Sequence, residues 1–303
     1  MSHSNKVIIL LIVLSVAVAS LAQSAPVITA AKPNDSGFYE YTSFSAGHDS
    51  SGGWSSEMDP SIGYDFSKHL GLSFGIPFYL LSTTTQTSLT GTQTTTSNYG
   101  SLGDVSVRLN ANKGSSILNY STSLAGSAPT GGTSTGISTG HVTVNWSNRI
   151  EHGFNMVTPF AAASIGNSLT STSKYRRAFT TLGAVSEFRG GANLDLAKGL
   201  SFEGSFYDDA GYGNQKIYSH HVPKGVSGLT GSRHNRPFDQ NFLTQGSASL
   251  VSDHGLDADF SVNPSKRVDL DLSYNRSITY ADNTVSFSVG YRFGHMAGDG
   301  EKK

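Results

Sequence analysis

Cysteine is absent from the 303-residue chain. Its absence excludes a disulfide scaffold, a thiolate zinc centre, a cysteine nucleophile and a lipid-anchored lipoprotein. Charge is scarce as well, at 14% of residues with a formal net charge of −1, so no global field points to nucleic acid. Soluble-enzyme signatures are missing: there is no P-loop, no GxGxxG at a strand–helix junction, no His-Glu-x-x-His and no Gly-x-Ser-x-Gly. Internal repeats with a shared signature are missing too. What the chain does hold is 34 glycines, 16 phenylalanines and 13 tyrosines among many Ser and Thr. That balance favours strands with one polar face over a helical enzyme.

One apolar run exists, Val7 to Ala22, after a single lysine at Lys6. It is shorter than the roughly 20 residues that span a bilayer and ends on the small residues Ser20-Leu21-Ala22, as a cleaved signal peptide does. An uncleaved anchor is the alternative. Residues 1–22 are therefore read as a signal peptide and 23–36 as an N-terminal periplasmic segment, either unstructured or plugging the mouth. Residues 37–293 are read as the folded body and 294–303 as a C-terminal tail. No second long apolar run follows, so any membrane crossing falls to strands.

Period-two alternation dominates after residue 35. Val285, Phe287, Val289, Tyr291 and Phe293 alternate with Ser286, Ser288, Gly290 and Arg292. Val268, Leu270, Leu272 and Tyr274 alternate with Asp269, Asp271, Ser273 and Asn275, and Val105, Val107 and Leu109 with Ser106, Arg108 and Asn110. In a sandwich the apolar face fills a central core; in a membrane barrel it meets lipid and the polar face lines a wet lumen. Long strands, export and an aromatic-ended final strand favour the barrel. A soluble secreted sandwich is the third-ranked reading.

Short turns near 67–69, 112–115, 151–153, 197–199 and 263–266 alternate with longer Ser/Thr/Gly-rich stretches near 48–60, 83–100, 129–137, 168–178 and 213–246. This is the alternation of periplasmic turns with extracellular loops, and it gives about twelve antiparallel strands in an up-and-down transmembrane β-barrel, an all-β fold. Residues 247–263 are expected as one uninterrupted strand, because Ala248 through Val262 keep one parity past Asp253-His254-Gly255.

Four motifs follow in order: Ser61-Ile62-Gly63-Tyr64-Asp65-Phe66, Phe74-Gly75-Ile76-Pro77-Phe78-Tyr79, Leu102-Gly103-Asp104-Val105 and Ala128-Pro129-Thr130-Gly131. On these the chain resembles the outer-membrane barrel family labelled MetA-pathway of phenol degradation, often described as transporter-like. The likeness covers roughly 60–146, with only strand pattern beyond it. It implies a barrel and passive transport of small solutes, with aromatic compounds as one candidate class. One departure is the extension beyond Phe293, where such barrels usually end.

Strand parity points Asp104, Arg108, Glu187, Arg189, Asp195, Glu203, Asp257, Asp259, Asp269, Asp271 and Arg292 inward as lumen and selectivity candidates. Carboxylates on neighbouring strands favour cations in a narrow aqueous pore; alternatively they pair and fill the lumen. Lys174, Arg176, Arg177, Lys216, Lys224, Arg233 and Arg236 mark basic extracellular loops, suited to lipid phosphates or acidic solutes, or simply solvated. His220, His221 and His234 have no carboxylate spaced to complete a metal site, so neither metal nor cofactor is expected.

The expected partners are outer-membrane lipid, the barrel-assembly machinery and a small-molecule solute, with no nucleic acid. Ser252 and His254 share an outward face, the spacing of a lipid hydrolase, but no outward Asn or Asp is expected on the facing strands to orient the histidine. The reading is thus a non-enzymatic channel in the bacterial outer membrane. A structural or surface-interaction barrel is the alternative, and a lipid hydrolase the remote one.

Overall fold

The structure, a computed structural model, describes residues 36–49, 53–88, 92–115, 118–133, 136–168, 179–219 and 243–294. Its polarity is inverted relative to a soluble protein. Ser43, Ser45, Asp257, Asn275, Thr284, Ser286 and Ser288 are buried, whereas Phe38, Ile62, Phe74, Leu80, Phe188, Phe206 and Leu272 stand exposed. Single exposed apolar side chains are ordinary; an exposed apolar face around a buried polar one is not.

Fifteen strands build the wall. They are β1 (Gly37–Asp49), β2 (Gly53–Ser67), β3 (Leu70–Gly75), β4 (Phe78–Ser88), β5 (Thr92–Leu102), β6 (Val105–Gly114), β7 (Asn119–Ala128) and β8 (Thr143–Glu151). Then come β9 (Val157–Gly166), β10 (Phe179–Ala197), β11 (Leu200–Ser219), β12 (Leu243–Ser247), β13 (Asp253–Ser265), β14 (Val268–Ser277) and β15 (Asp282–Gly294). Three pairs, β3 with β4, β5 with β6 and β12 with β13, are one stave each in two pieces, which leaves twelve staves. All pairings are antiparallel, and β1 pairs with both β2 and β15. The twelve staves thus close into a ring, while among the described residues β5 pairs only with β4 and β12 only with β11.

The interruptions have local causes. Pro77 has no N–H to give the ladder, so the third stave breaks there. Its neighbour Ile76 donates its N–H to Pro60 O at 3.2 Å, and Gly103 donates to Pro77 O at 2.7 Å. A side chain at Gly103 would lie 2.5 Å from the Tyr79 ring, so glycine is what lets the fourth stave bend against the third.

The expected single strand over 247–263 is interrupted. Ala248–Leu250 form a 3-10 turn that folds inward over Gly211, where an added Cβ would meet Val251 at 2.4 Å. The stave count is unchanged, because Asp253-His254-Gly255 lie within β13 and form no hairpin turn. The expected loops are also shorter than the sequence suggested. β2 begins at Gly53, β4 and β5 pair from Phe78↔Leu102 to Ser88↔Thr92, and β11 runs to Ser219. Ser/Thr-rich composition here marks strand extensions beyond the apolar band.

Candidate functional site

The polar interior is the candidate site, and register arranges its charges in rows. Arg149 on β8 pairs with Ala162 on β9, Ala162 with Arg189 on β10, and Arg189 with Tyr207 on β11. The small Ala162 leaves room for two guanidinium groups to lie along the inner wall. Arg149 reaches Glu203 on β11 with Nη2–Oε2 at 2.9 Å and Nη1–Oε1 at 3.4 Å, and Glu151 at 3.1 Å. Its guanidinium also sits 3.6 Å over the Phe160 ring. Such fork-to-fork pairing with a ring beneath fixes a long side chain in one orientation.

Arg189 bonds Asp257 on β13 at 2.7 Å and Glu187 at 3.2 Å. The other oxygen of Asp257 accepts from Asn275 Nδ2 at 2.8 Å. Asp253 accepts from Tyr207 Oη at 3.0 Å and from Ser277 Oγ at 2.8 Å. Nearer the turn end, Asp271 accepts from Ser261 at 2.6 Å and from Ser288 at 2.8 Å. Asp269 lies in the field of Asp271 and Arg292, and the Arg292 guanidinium stands 4.5 Å over Tyr39. Arg108 lies in the field of Asp59 and Tyr39. Asp195, exposed beside the β10–β11 turn, accepts from Asn193 at 3.2 Å.

Several expectations change here. Asp257 and Glu203 are not open carboxylates in a uniform negative patch, since each holds an arginine. Asp104 stands between β5 and β6 and accepts the Gly131 N–H at 2.9 Å, so it anchors a loop rather than lining the passage freely. Lys216 belongs to no loop: it lies in β11, paired with Leu182 and with Gln245. Lys174, Arg176, Arg177, Lys224, Arg233, Arg236, His220, His221 and His234 lie outside the described residues.

The Ser–His pair also fails as a relay. Ser252 Oγ donates to Ala248 O at 3.2 Å and accepts from Gly211 N, while His254 Nδ1 faces Thr279 Oγ1 at 3.0 Å. Asp208 does stand opposite His254 on the outward face, contrary to the expectation that no acid would.

Arg149, Glu57, Asp59, Asp209, Asp253 and Asp282 were missed. The parity of Val142, Val144 and Trp146 already pointed Arg149 inward. Glu57 and Asp59 were hidden because 48–60 reads as a loop by composition. Register pairs Glu57 with Ser45 and Asp59 with Ser43, two of the most buried side chains of β1.

The outer face carries aromatic clusters at its two ends. Phe38, Tyr64 and Phe66 stack edge-on near the turn end, with centroids 4.6 and 5.1 Å apart. His48 and Trp54 do the same at 5.0 Å near the loop end. Paired aromatic girdles flanking an apolar band are how a barrel seats in a bilayer.

Comparison with solved structures bears on this geometry. The crystal structure of an outer membrane channel from Pseudomonas putida F1 matches with a TM-score of 0.53 at 10% identity, over 89% of this chain and 100% of that one. The shared feature is the barrel. The KdgM porin matches at 0.44 with 9% identity over 85% and 100%. The NanC porin matches at 0.43 with 7% identity over 83% and 98%. No family model matches the chain. No curated protein matches it either. The phenol-degradation label therefore rests on the four sequence motifs alone.

Proposed function

We propose that the chain is a passive, cation-preferring channel for small solutes in the bacterial outer membrane, exported by way of residues 1–22. The observation that carries this reading is the charge inventory of the inner wall. Among the described residues Glu57, Asp59, Glu151, Glu187, Glu203, Asp209, Asp253, Asp257, Asp259, Asp269, Asp271 and Asp282 share the inward face, against Arg108, Arg149, Arg189 and Arg292. The pairs formed by Arg149 and Arg189 each tie two carboxylates to one guanidinium, so acid remains in excess. A lumen with net negative charge concentrates cations and repels anions.

A twelve-stave ring is wider than the eight-stranded barrels whose side chains fill them, which supports an aqueous passage. Tyr39, Tyr41, Tyr79, Tyr207 and Phe160 share the inward parity with these charges. They give small aromatic solutes apolar surface along the way. Outer-membrane lipid against the outward face and the assembly machinery belong to the same proposal.

The test is swelling of liposomes containing the folded protein, in isotonic solutions of small organic cations, neutral sugars and organic anions. Rapid swelling for cations, slower for neutral solutes and slowest for anions is expected. No swelling from demonstrably inserted protein would end the transport reading.

A further inference from the structure

The wall carries a bulge where β10 meets β11. Between the pairs Ala184↔Tyr212 and Leu182↔Lys216, β10 supplies only Gly183 while β11 supplies Gly213, Asn214 and Gln215. Glycine is what permits this on both strands: Gly213 has a φ of +65°, and a Cβ at Gly183 would come 2.2 Å from Gln215 Oε1. Buried Gln215 bridges the gap, its Nε2 donating to Ala184 O at 2.8 Å and to Tyr212 O at 2.9 Å.

The bulge opens a cleft of about 590 Å³, lined in part by Leu182, Asn214, Lys216 and Gln245. These side chains belong to the outer face. Asn214 and Lys216 alternate with buried Gln215 and Ile217, and Ile217 packs with Val185 on the inward parity. Leu182 on β10 and Gln245 on β12 stand opposite Lys216, so they share its side. Asn214 and Gln245 are exposed and Lys216 half-buried, which leaves all three within reach of a ligand.

Height identifies what meets this face. Counting along β10 from the turn at Ala197 to Leu182, at roughly 2.5 Å of height per residue, puts the cleft above the ~25 Å apolar band. Tyr212, 50% exposed, lies one register pair below it on the membrane side. An outward cleft at this level faces the headgroups of the outer leaflet.

The chemistry is donor-rich. No carboxylate lines the cleft. A lysine ammonium holds phosphate as a point charge. A carboxamide donates and accepts at once, which matches sugar hydroxyls. We propose that the cleft binds the phosphorylated sugar headgroup of an outer-leaflet glycolipid, with Lys216 on the phosphate and Asn214 and Gln245 on the sugar. The inference rests on the outer-membrane seat of the proposed function and not on conduction through the lumen.

The experiment is native mass spectrometry of the folded protein in detergent. The probes are a bisphosphorylated glucosamine-disaccharide lipid, its dephosphorylated form, phosphatidylglycerol and soluble glucosamine 1-phosphate. The parent should retain the bisphosphorylated lipid and bind the other three roughly tenfold more weakly. Lys216→Gln should lose roughly tenfold in affinity for it, and the double variant Asn214→Ala with Gln245→Ala roughly threefold. Lys216→Arg should keep it, as should Lys198→Gln at the turn end of the same strand pair. Heat-modifiable gel mobility establishes that each variant is folded, and the parent's preference among probes tests the site without any variant. Equal retention by parent and Lys216→Gln, or equal loss in Lys198→Gln, overturns the site. Phosphatidylglycerol held as tightly overturns sugar recognition, and glucosamine 1-phosphate held as tightly overturns the lipid as its source. Each of these results, with a parent that swells liposomes, leaves the channel reading standing; a parent that does not insert into membranes overturns both.

Discussion

Arg149 on β8 and Glu203 on β11 form a two-pronged ion pair that spans the inner faces of β9 and β10, with the shorter contact at 2.9 Å. Neither is open to bulk water, with side-chain exposures of 19% and 17%. The pair therefore braces four staves as well as setting the local charge. Arg149→Ala leaves Glu203 and Glu151 facing each other without a cation. Loss of a hydrogen-bonded charge at a part-buried site should cost about 1.5–3 kcal/mol. Urea unfolding in lipid vesicles measures this, and an unchanged midpoint would show that the brace carries no weight. The same variant should raise cation preference, because it removes positive charge from the lumen.

Parity predicts opposite tolerances at adjacent positions. Leu272 points outward and is 50% exposed, whereas its neighbour Ser273 points inward. Leu272→Arg should cost about 2–4 kcal/mol of folding free energy in a bilayer, as a cation on the lipid face does near the midplane. Ser273→Arg should cost much less and shift selectivity toward anions. Equal costs at both positions would contradict the assignment of faces.

Two tyrosines lie over glycines on neighbouring strands. A Cβ at Gly63 would come 2.2 Å from the Tyr39 ring, and one at Gly290 would come 2.0 Å from the Tyr41 hydroxyl. Here glycine serves as a socket for a ring, next to the strand pair β1–β15 that closes the barrel. Gly63→Ala and Gly290→Ala should each destabilise by about 1–3 kcal/mol through overpacking. The check is the heat-modifiable mobility midpoint, and neutral substitutions would show that the rings move aside freely.

Period two made the closed barrel legible, because a strand with lipid on one side and water on the other writes its two solvents alternately along the chain. Val285 to Phe293 and Val268 to Asn275 are the clearest cases, and both strands form where expected. Composition misled at the loop ends. Ser82 to Asn98 reads as a loop because a strand beyond the apolar band needs no apolar side, and Trp54-Ser55-Ser56-Glu57 because Trp54 alone marks the outward parity there. Parity was also trusted too far across 247–253, where the sequence keeps step but the backbone turns at Ala248–Leu250. The burial of Ile137, which lies in no strand and packs on Tyr79, left no periodic mark at all. It depends on glycines at 103 and 131 whose role appears only when the two segments meet. Charge pairs such as Arg189 with Asp257 join distant strands, so parity gives their side but not their partner.

The central claim is that excess carboxylate on the inner wall selects cations, and the most direct measurement is the zero-current potential under a potassium chloride gradient in a planar bilayer. The parent should show a potential of the sign that marks cation preference. The variant with Asp257, Asp259, Asp269 and Asp271 all changed to Asn should show a clearly smaller potential of the same sign, because Arg189 and Arg292 then face fewer acids while Glu57, Asp59, Asp209 and Asp253 remain. Discrete conductance steps with the same potential in parent and variant would contradict the account.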